Sequence, residues 1–361
     1  MKTVSLVLSC AFSSVVWANA DYPYAPVEMT NVVVRSGFWL PRIETNRLVT
    51  IKSDFKRSEE TGRIRNFEAA GRREGKGFKG IPYDDSDVYK VIEGAAYSLA
   101  IHPDEKLKSY VDELISVIAK AQEPDGYLYT ARTLGFQKFA MMGFTRWSNI
   151  AHSHELYNVG HLYEAAVAYY QATGERTLLD VAIKSANLID RTFGPGDKLK
   201  TPPGHEEIEL ALVKMYQTTG EKLYLDMAKK FIDIRGVTYN PNGEGVMSYD
   251  YAQQHHPVRE QRTAIGHAVR ATYLYSGMAD IVATMGDTTL LPALDAIWHD
   301  IVDKKMHITG GLGAVAGLEK FGPAYVLPNV ETYDETCAAV GNVIFNYRMF
   351  LMSGDAKYLD V

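Results

Sequence analysis

The chain has 361 residues, of which 46% are hydrophobic, 11% aromatic and 23% charged, and its formal net charge is −6. This supplies enough apolar material for one large core or two ordinary ones. The acidic balance gives no electrostatic case for nucleic acid, and no apolar run is long enough to span a bilayer.

Residues 1–20 have the layout of a secretory leader. Lys2 gives the positive start, residues 4–16 the apolar stretch, and Ala18-Asn19-Ala20 the small-residue cleavage site. Cleavage would leave Asp21 first and predicts a periplasmic or secreted protein. Cys337 is then the one remaining cysteine. No internal disulfide can form, so this thiol is expected to be a buried apolar residue, a metal ligand or a reactive group.

Helical periodicity dominates residues 21–361. A first helix is predicted over residues 41–56. Val88, Val91, Ile92, Ala95, Ala96 and Leu99 then fall on one helical face, as do Leu107, Tyr110, Val111, Leu114, Ile115 and Ile118. Further helices are predicted over residues 156–173, 176–193, 206–219, 222–235, 264–285, 288–305 and 336–352. A weak repeat organises them: Thr173-Gly174-Glu175, Thr219-Gly220-Glu221, Met285-Gly286-Asp287 and Ser353-Gly354-Asp355 each end one helix and start the next. Glycine takes the left-handed helix-end conformation, and the acid favours the following N-terminus. His102-Pro103-Asp104 does the same without glycine.

These tight hairpins alternate with long loops, which suits an all-α fold of paired helices, the (α/α)6 barrel or helical toroid. The long loops would gather at one mouth. Residues 355–361 are read as opening a further helix, so the barrel is expected to be incomplete at the C-terminus, lacking its last helices.

Several residues near the expected mouth can carry chemistry. Glu335 and Cys337, two apart at a helix start, can converge on one ion as a carboxylate and a thiolate; the same residues also fit a helix cap followed by a buried thiol. Glu319 stands in a loop where a carboxylate could transfer protons. His154, His205 and His267 each stand at the start of an inner-type helix, hence at one end of a toroid. Imidazoles both donate and accept, which suits neutral sugars, although three independent helix-start histidines would read the same. Tyr127, Tyr129, Trp147, Tyr157 and Tyr325 lie in or beside the loops and are either sugar-stacking or core residues. No phosphate loop, nucleophile elbow or His-Glu-x-x-His motif is present.

Taken together, five segments resemble the β-L-arabinofuranosidases of glycoside hydrolase family 127. They are His154-Glu155-Leu156-Tyr157, residues 204–210 (Gly204-His205-Glu206-Glu207-Ile208-Glu209-Leu210), residues 266–271 (Gly266-His267-Ala268-Val269-Arg270-Ala271), Tyr325-x-Leu327-Pro328-Asn329 and Glu335-Thr336-Cys337. Residues 84–90 fit as well, and the related family 146 is similar. The resemblance spans roughly residues 30–361 and implies an (α/α)6 barrel followed by β-rich domains. It implies retaining hydrolysis of non-reducing terminal L-arabinofuranose from plant glycans, with a zinc-held cysteine thiolate as nucleophile. Of the zinc ligands, one Glu and three Cys, it places Glu335 and Cys337 here. It makes Glu319 the general acid/base, and His154, His205 and His267 sugar contacts.

The nucleophile belongs to an adjacent cysteine pair beyond Cys337, so the 361-residue chain alone is expected to be inactive, with a partial metal site. The same fold acting on another pectin-type sugar and a non-catalytic carbohydrate-binding relative are the alternatives. A lyase or epimerase would need more basic residues for uronate than Arg262, Arg270 and Lys320 supply. Linkage and oligomeric state have no signature in the sequence.

Overall fold

The computed structural model describes residues 21–136, 142–194, 200–237 and 250–361. The predicted leader, residues 1–20, and part of the loop over residues 132–147 lie outside the described residues.

In chain order the helices are α1 (Trp39–Thr45), α2 (Ile51–Glu60), α3 (Arg63–Gly71), α4 (Asp85–Ile101), α5 (Glu105–Ala121), α6 (Thr130–Thr133) and α7 (Ile150–Ser153). They continue with α8 (Glu155–Thr173), α9 (Thr177–Phe193), α10 (Ile208–Thr219), α11 (Lys222–Ile234), α12 (Ala268–Met285), α13 (Leu291–Lys304) and α14 (Thr336–Ser353). No strand forms among the described residues, where only two isolated bridges occur.

Two layers follow from the sequence pattern. α4, α8, α10, α12 and α14 pack side by side as the inner layer, each against the next. α8 is buried from Glu155 to Tyr169 on every side, as a helix enclosed between neighbours must be. The outer helices α5, α9 and α11 bury one stripe only, such as Leu178, Ala182, Ala186 and Ile189 of α9. Each packs on its inner partner. The arrangement is that of an (α/α)6 barrel. The predicted hairpin turns are present: Gly174, Gly220, Gly286 and Gly354 all adopt φ between 70° and 76°, a region where a side chain is strained.

Four boundaries differ from the sequence reading. The first helix is longer, and a π-helical turn at Asn46–Thr50 joins α1 to α2. α10 begins at Ile208 rather than Glu206, because Arg235 captures the Glu206 carboxylate and the Pro203 carbonyl and holds the chain out of the helix. α12 begins at Ala268 rather than Ala264, because Gly266 sits at φ 75°. Residues 355–361 form a short 3-10 turn, Ala356–Tyr358, rather than a new helix. On α14, Ala338, Gly341 and Asn342 are buried, while Val340 and Val343 are exposed.

The N-terminal segment docks across the end of the inner layer. Tyr22 donates its hydroxyl to Asp280 on α12 at 2.6 Å, and Arg348 on α14 donates to the same carboxylate oxygen at 2.9 Å. The Tyr24 N–H bonds the Leu351 carbonyl at 3.1 Å. Asp280 is buried, so its charge depends on these partners. Arg348→Met is expected to lower the unfolding free energy by about 3 kcal/mol, because it strands a buried carboxylate. Urea denaturation followed by circular dichroism checks this, and an unchanged midpoint would contradict it.

Candidate active site

The three histidines predicted to share one end come together. The His154 and His205 ring centroids are 5.7 Å apart, and those of His205 and His267 are 5.6 Å apart. Tyr157, one turn along α8, lies 4.3 Å from His205, and Tyr83 lies 4.9 Å from His154. Of the other loop aromatics, Tyr127 and Tyr129 are core residues, whereas Tyr325 is exposed.

Local backbone features place each ring. His154 occupies the left-handed region at φ 57°, between α7 and α8. His205 lies in the loop ahead of α10 rather than at the helix start. Its neighbour Gly204 is needed because any Cβ there would overlap the Ile150 and Ala151 carbonyl oxygens. His267 caps α12, its Nδ1 accepting the Arg270 N–H at 3.4 Å.

These bonds fix the tautomers. His154 Nδ1 lies 2.8 Å from the His152 carbonyl, and His205 Nδ1 lies 2.7 Å from the Glu206 carbonyl. A carbonyl only accepts, so both rings carry the Nδ1 proton and keep Nε2 as an acceptor. His267 has the opposite polarity: Nδ1 accepts, leaving Nε2 to donate to Glu319 Oε2 at 2.8 Å. Burial depresses all three imidazoles, with the nearby Arg270 charge acting in the same direction. His154 is driven down to about 3, and His205 and His267 are also lowered. The His267–Glu319 contact is therefore a neutral imidazole donating to a carboxylate.

Glu319 is held on two sides. Besides His267, Tyr333 donates its hydroxyl to Glu319 Oε1 at 2.9 Å. The His267 bond, ahead of the Tyr333 bond, holds the Glu319 carboxyl below the usual range. Its backbone is pinned as well. The Ala268 N–H bonds the Glu319 carbonyl at 3.0 Å, and the Phe321 N–H bonds the Gly266 carbonyl at 3.0 Å. This antiparallel bridge runs between His267 and Lys320. Leu318 and Glu319 adopt φ 71° and 53°, which costs about 1 kcal/mol or more per residue away from functional sites.

Glu335, at the N-cap of α14, completes the cluster. One donor atom from each of His267, Glu319 and Glu335 lies within 4.8 Å of the others, close enough to hold a metal ion. Glu335 Oε2 is buried without a hydrogen-bond partner. Cys337 is exposed rather than the buried thiol of the helix-cap reading. Partial desolvation, followed by its bond to the Glu335 carboxylate, pushes the thiol up to about 11. The donors differ from the sequence expectation in one respect: Glu335 faces His267 and Glu319 as well as Cys337.

The sequence reading did not assign Tyr333, Lys90 or Arg270 to the site. Lys90 donates to the Tyr157 hydroxyl at 2.8 Å and to Ser86 Oγ at 3.0 Å, fixing the ring under His205. The acids beside it are structural. Asp85 accepts from the Thr130 N–H at 2.8 Å, and Asp84 accepts from Ile81 and Arg63.

The neutral rings yield a pH prediction. The imidazole signal of His154 is expected not to titrate between pH 7 and 5, because burial drives its folded value down to about 3. Nuclear magnetic resonance of the folded chain checks this, and protonation of that ring above pH 5 would contradict the assigned electrostatics.

Comparison with known proteins shows the family of this chain. Residues 31–361 match the family profile of the β-L-arabinofuranosidase GH127 catalytic domain. The non-reducing end β-L-arabinofuranosidase of Bifidobacterium longum subsp. longum is 41% identical over 313 residues, covering 82% of this chain and 47% of that protein. A solved GH127 β-arabinofuranosidase is 50% identical with a TM-score of 0.90, over 94% of this chain and 53% of the other. A GH127 β-L-arabinofuranosidase from Geobacillus stearothermophilus T6 is 39% identical with a TM-score of 0.86, over 91% of this chain and 54% of the other. The chain thus spans about half the length of these relatives. On this profile match and these relatives, the chain belongs to the GH127 β-L-arabinofuranosidase catalytic-domain family.

Proposed function

We propose that this chain carries the sugar-binding and proton-transfer half of a retaining β-L-arabinofuranosidase that acts on non-reducing ends of glycans. The observation that carries this reading is the placement of Glu319. It is a half-exposed carboxylate, oriented by His267 and Tyr333, beside Glu335 and next to a row of neutral imidazoles. The Nε2 acceptors of His154 and His205 suit the hydroxyl donors of an uncharged sugar.

In the free site Glu319 is ionised, the base form needed to deprotonate the water that releases the sugar. To act first as acid it takes up a proton as bound sugar excludes water and raises its affinity for one. The glycosidic oxygen then receives that proton and leaves as a neutral alcohol as its bond to the anomeric carbon breaks. The nucleophile, which this sequence does not supply, would bond that carbon until water displaces it. His267, neutral in the free site, holds Glu319 Oε2 through its Nε2–H, while Oε1, which accepts from the Tyr333 hydroxyl, is the oxygen left to pass the proton.

Glu335 and Cys337 would hold zinc. The donor types fit: a buried carboxylate oxygen without a partner stands beside a thiol. Zinc, when bound, supplies the positive charge that keeps cysteine sulfur as thiolate at neutral pH. The further thiols of such a site, the nucleophile among them, are not among the two cysteines of this sequence. The leader-like residues 1–20 support export of the protein. No described helix is long and apolar enough to cross a membrane.

The test is release of aryl alcohol from an aryl β-L-arabinofuranoside by the chain expressed together with the C-terminal half that its relatives carry. Glu319→Gln is expected to reduce kcat by about 10²–10⁴-fold, the usual contribution of a general acid/base. An activity loss below about tenfold would remove Glu319 from that role. Cys337→Ser is expected to lower bound zinc, read by metal analysis, and wild-type zinc content in that variant would displace Cys337 as a ligand.

A further inference from the structure

Two buried arginines grip consecutive carbonyls just before His205, and they differ in how their charges are met. Arg235, from the end of α11, donates to the Pro203 carbonyl at 2.7 Å and is neutralised by Glu206 and Glu209. Arg270, from the first turn of α12, donates to the Gly204 carbonyl. Its guanidinium lies 4.6 Å from the centre of the Tyr251 ring. It makes no ion pair with a carboxylate among the described residues, although it is only 3% exposed and its Nε has no partner. A cation buried in this way is costly.

Its position touches the supports of the pocket. Gly204 packs on the Ile150 and Ala151 carbonyls, just ahead of the His154 turn, so closely that no Cβ fits. The next residue is His205. On the other side, the Tyr251 carbonyl accepts the His267 N–H at 3.1 Å, and the Tyr251 ring lies 5.5 Å from the His267 ring.

We propose that Arg270 is a positioning residue of the pocket: by bridging Gly204 and Tyr251 it fixes where the His205 and His267 rings stand relative to Glu319. The planar guanidinium can bond a carbonyl in its plane while stacking on a ring with its face, which an ammonium cannot do. Its charge acts in the same direction, favouring neutral histidines and an ionised Glu319. The inference deepens the sugar-site reading and rests on it for the ligand, though not for the clamp.

The experiment uses the 361-residue chain with Arg270→Met and Arg270→Lys. Ring-nitrogen resonance spectra without ligand report the His205 tautomer, and calorimetry reports affinity for methyl β-L-arabinofuranoside. The wild type is expected to show one Nδ1–H tautomer at His205. Both variants are expected to average the two tautomers and to bind the probe at least tenfold more weakly. A single tautomer retained in both variants overturns the inference, as does affinity within twofold of the wild type. If the tautomer is lost in the variants but the wild type does not bind the probe, the clamp stands and the arabinofuranoside reading fails. Should Arg270→Met fail to fold by circular dichroism, Tyr251→Leu removes the ring and the hydroxyl that meet Arg270 while leaving the guanidinium in place, and is read by the same signals.

Discussion

The short antiparallel bridge between residues 266–268 and 319–321 is the constraint on which the site depends. Two backbone hydrogen bonds of 3.0 Å join the start of α12 to a loop that comes from beyond α13. They place Glu319 opposite His267, and side-chain entropy then has little left to remove before the 2.8 Å contact forms. Gly266 makes the bridge feasible. Its left-handed backbone at φ 75° turns the chain from the Tyr251 loop into the helix, and a Cβ there would overlap the Asp250 carbonyl.

Around that bridge, burial decides what each group can do. Imidazoles are the natural switch groups near neutral pH, yet these three are kept neutral by desolvation and by a neighbouring cation. Their hydrogen-bond polarity is therefore permanent: His154 and His205 offer acceptors, and His267 offers a donor. Glu319 is the less buried member of its pair and carries the charge. In the proposed reaction the proton passes through Glu319 alone of these groups, and the neutral imidazoles around it serve as fixed dipoles.

Much of this was legible in the chain itself. The Gly–acid turns at Gly174, Gly220, Gly286 and Gly354 gave the hairpins, and the hairpins gave the toroid and the common end of the three histidines. The family resemblance implied roles for Glu319 and Glu335 in one site, and a donor atom of each lies within 4.8 Å of the other and of a His267 nitrogen. What could not be read were contacts that depend on long-range packing. Tyr333 looks like any loop tyrosine until its hydroxyl meets Glu319. Arg270 looks like a surface charge on a helix until its first turn is buried. Glu206 and Ala264 fit helical periodicity, but Arg235 and Gly266 override it. Of the three readings open to Cys337, buried apolar residue, metal ligand or reactive group, the first fails because the start of α14 leaves the thiol exposed.

The docking of the N-terminal segment bears on the order in which the molecule assembles. Tyr22 finds its partner 258 residues later, and the Tyr24 amide bonds the carbonyl of Leu351. The first described residues therefore cannot reach their native partners until the chain has been synthesised through α14. The hairpins can form locally and early, since their contacts are close in sequence. The N-terminal tyrosines find their partners only once α12 and α14 are in place, and they tie the first described residues to that end of the inner layer.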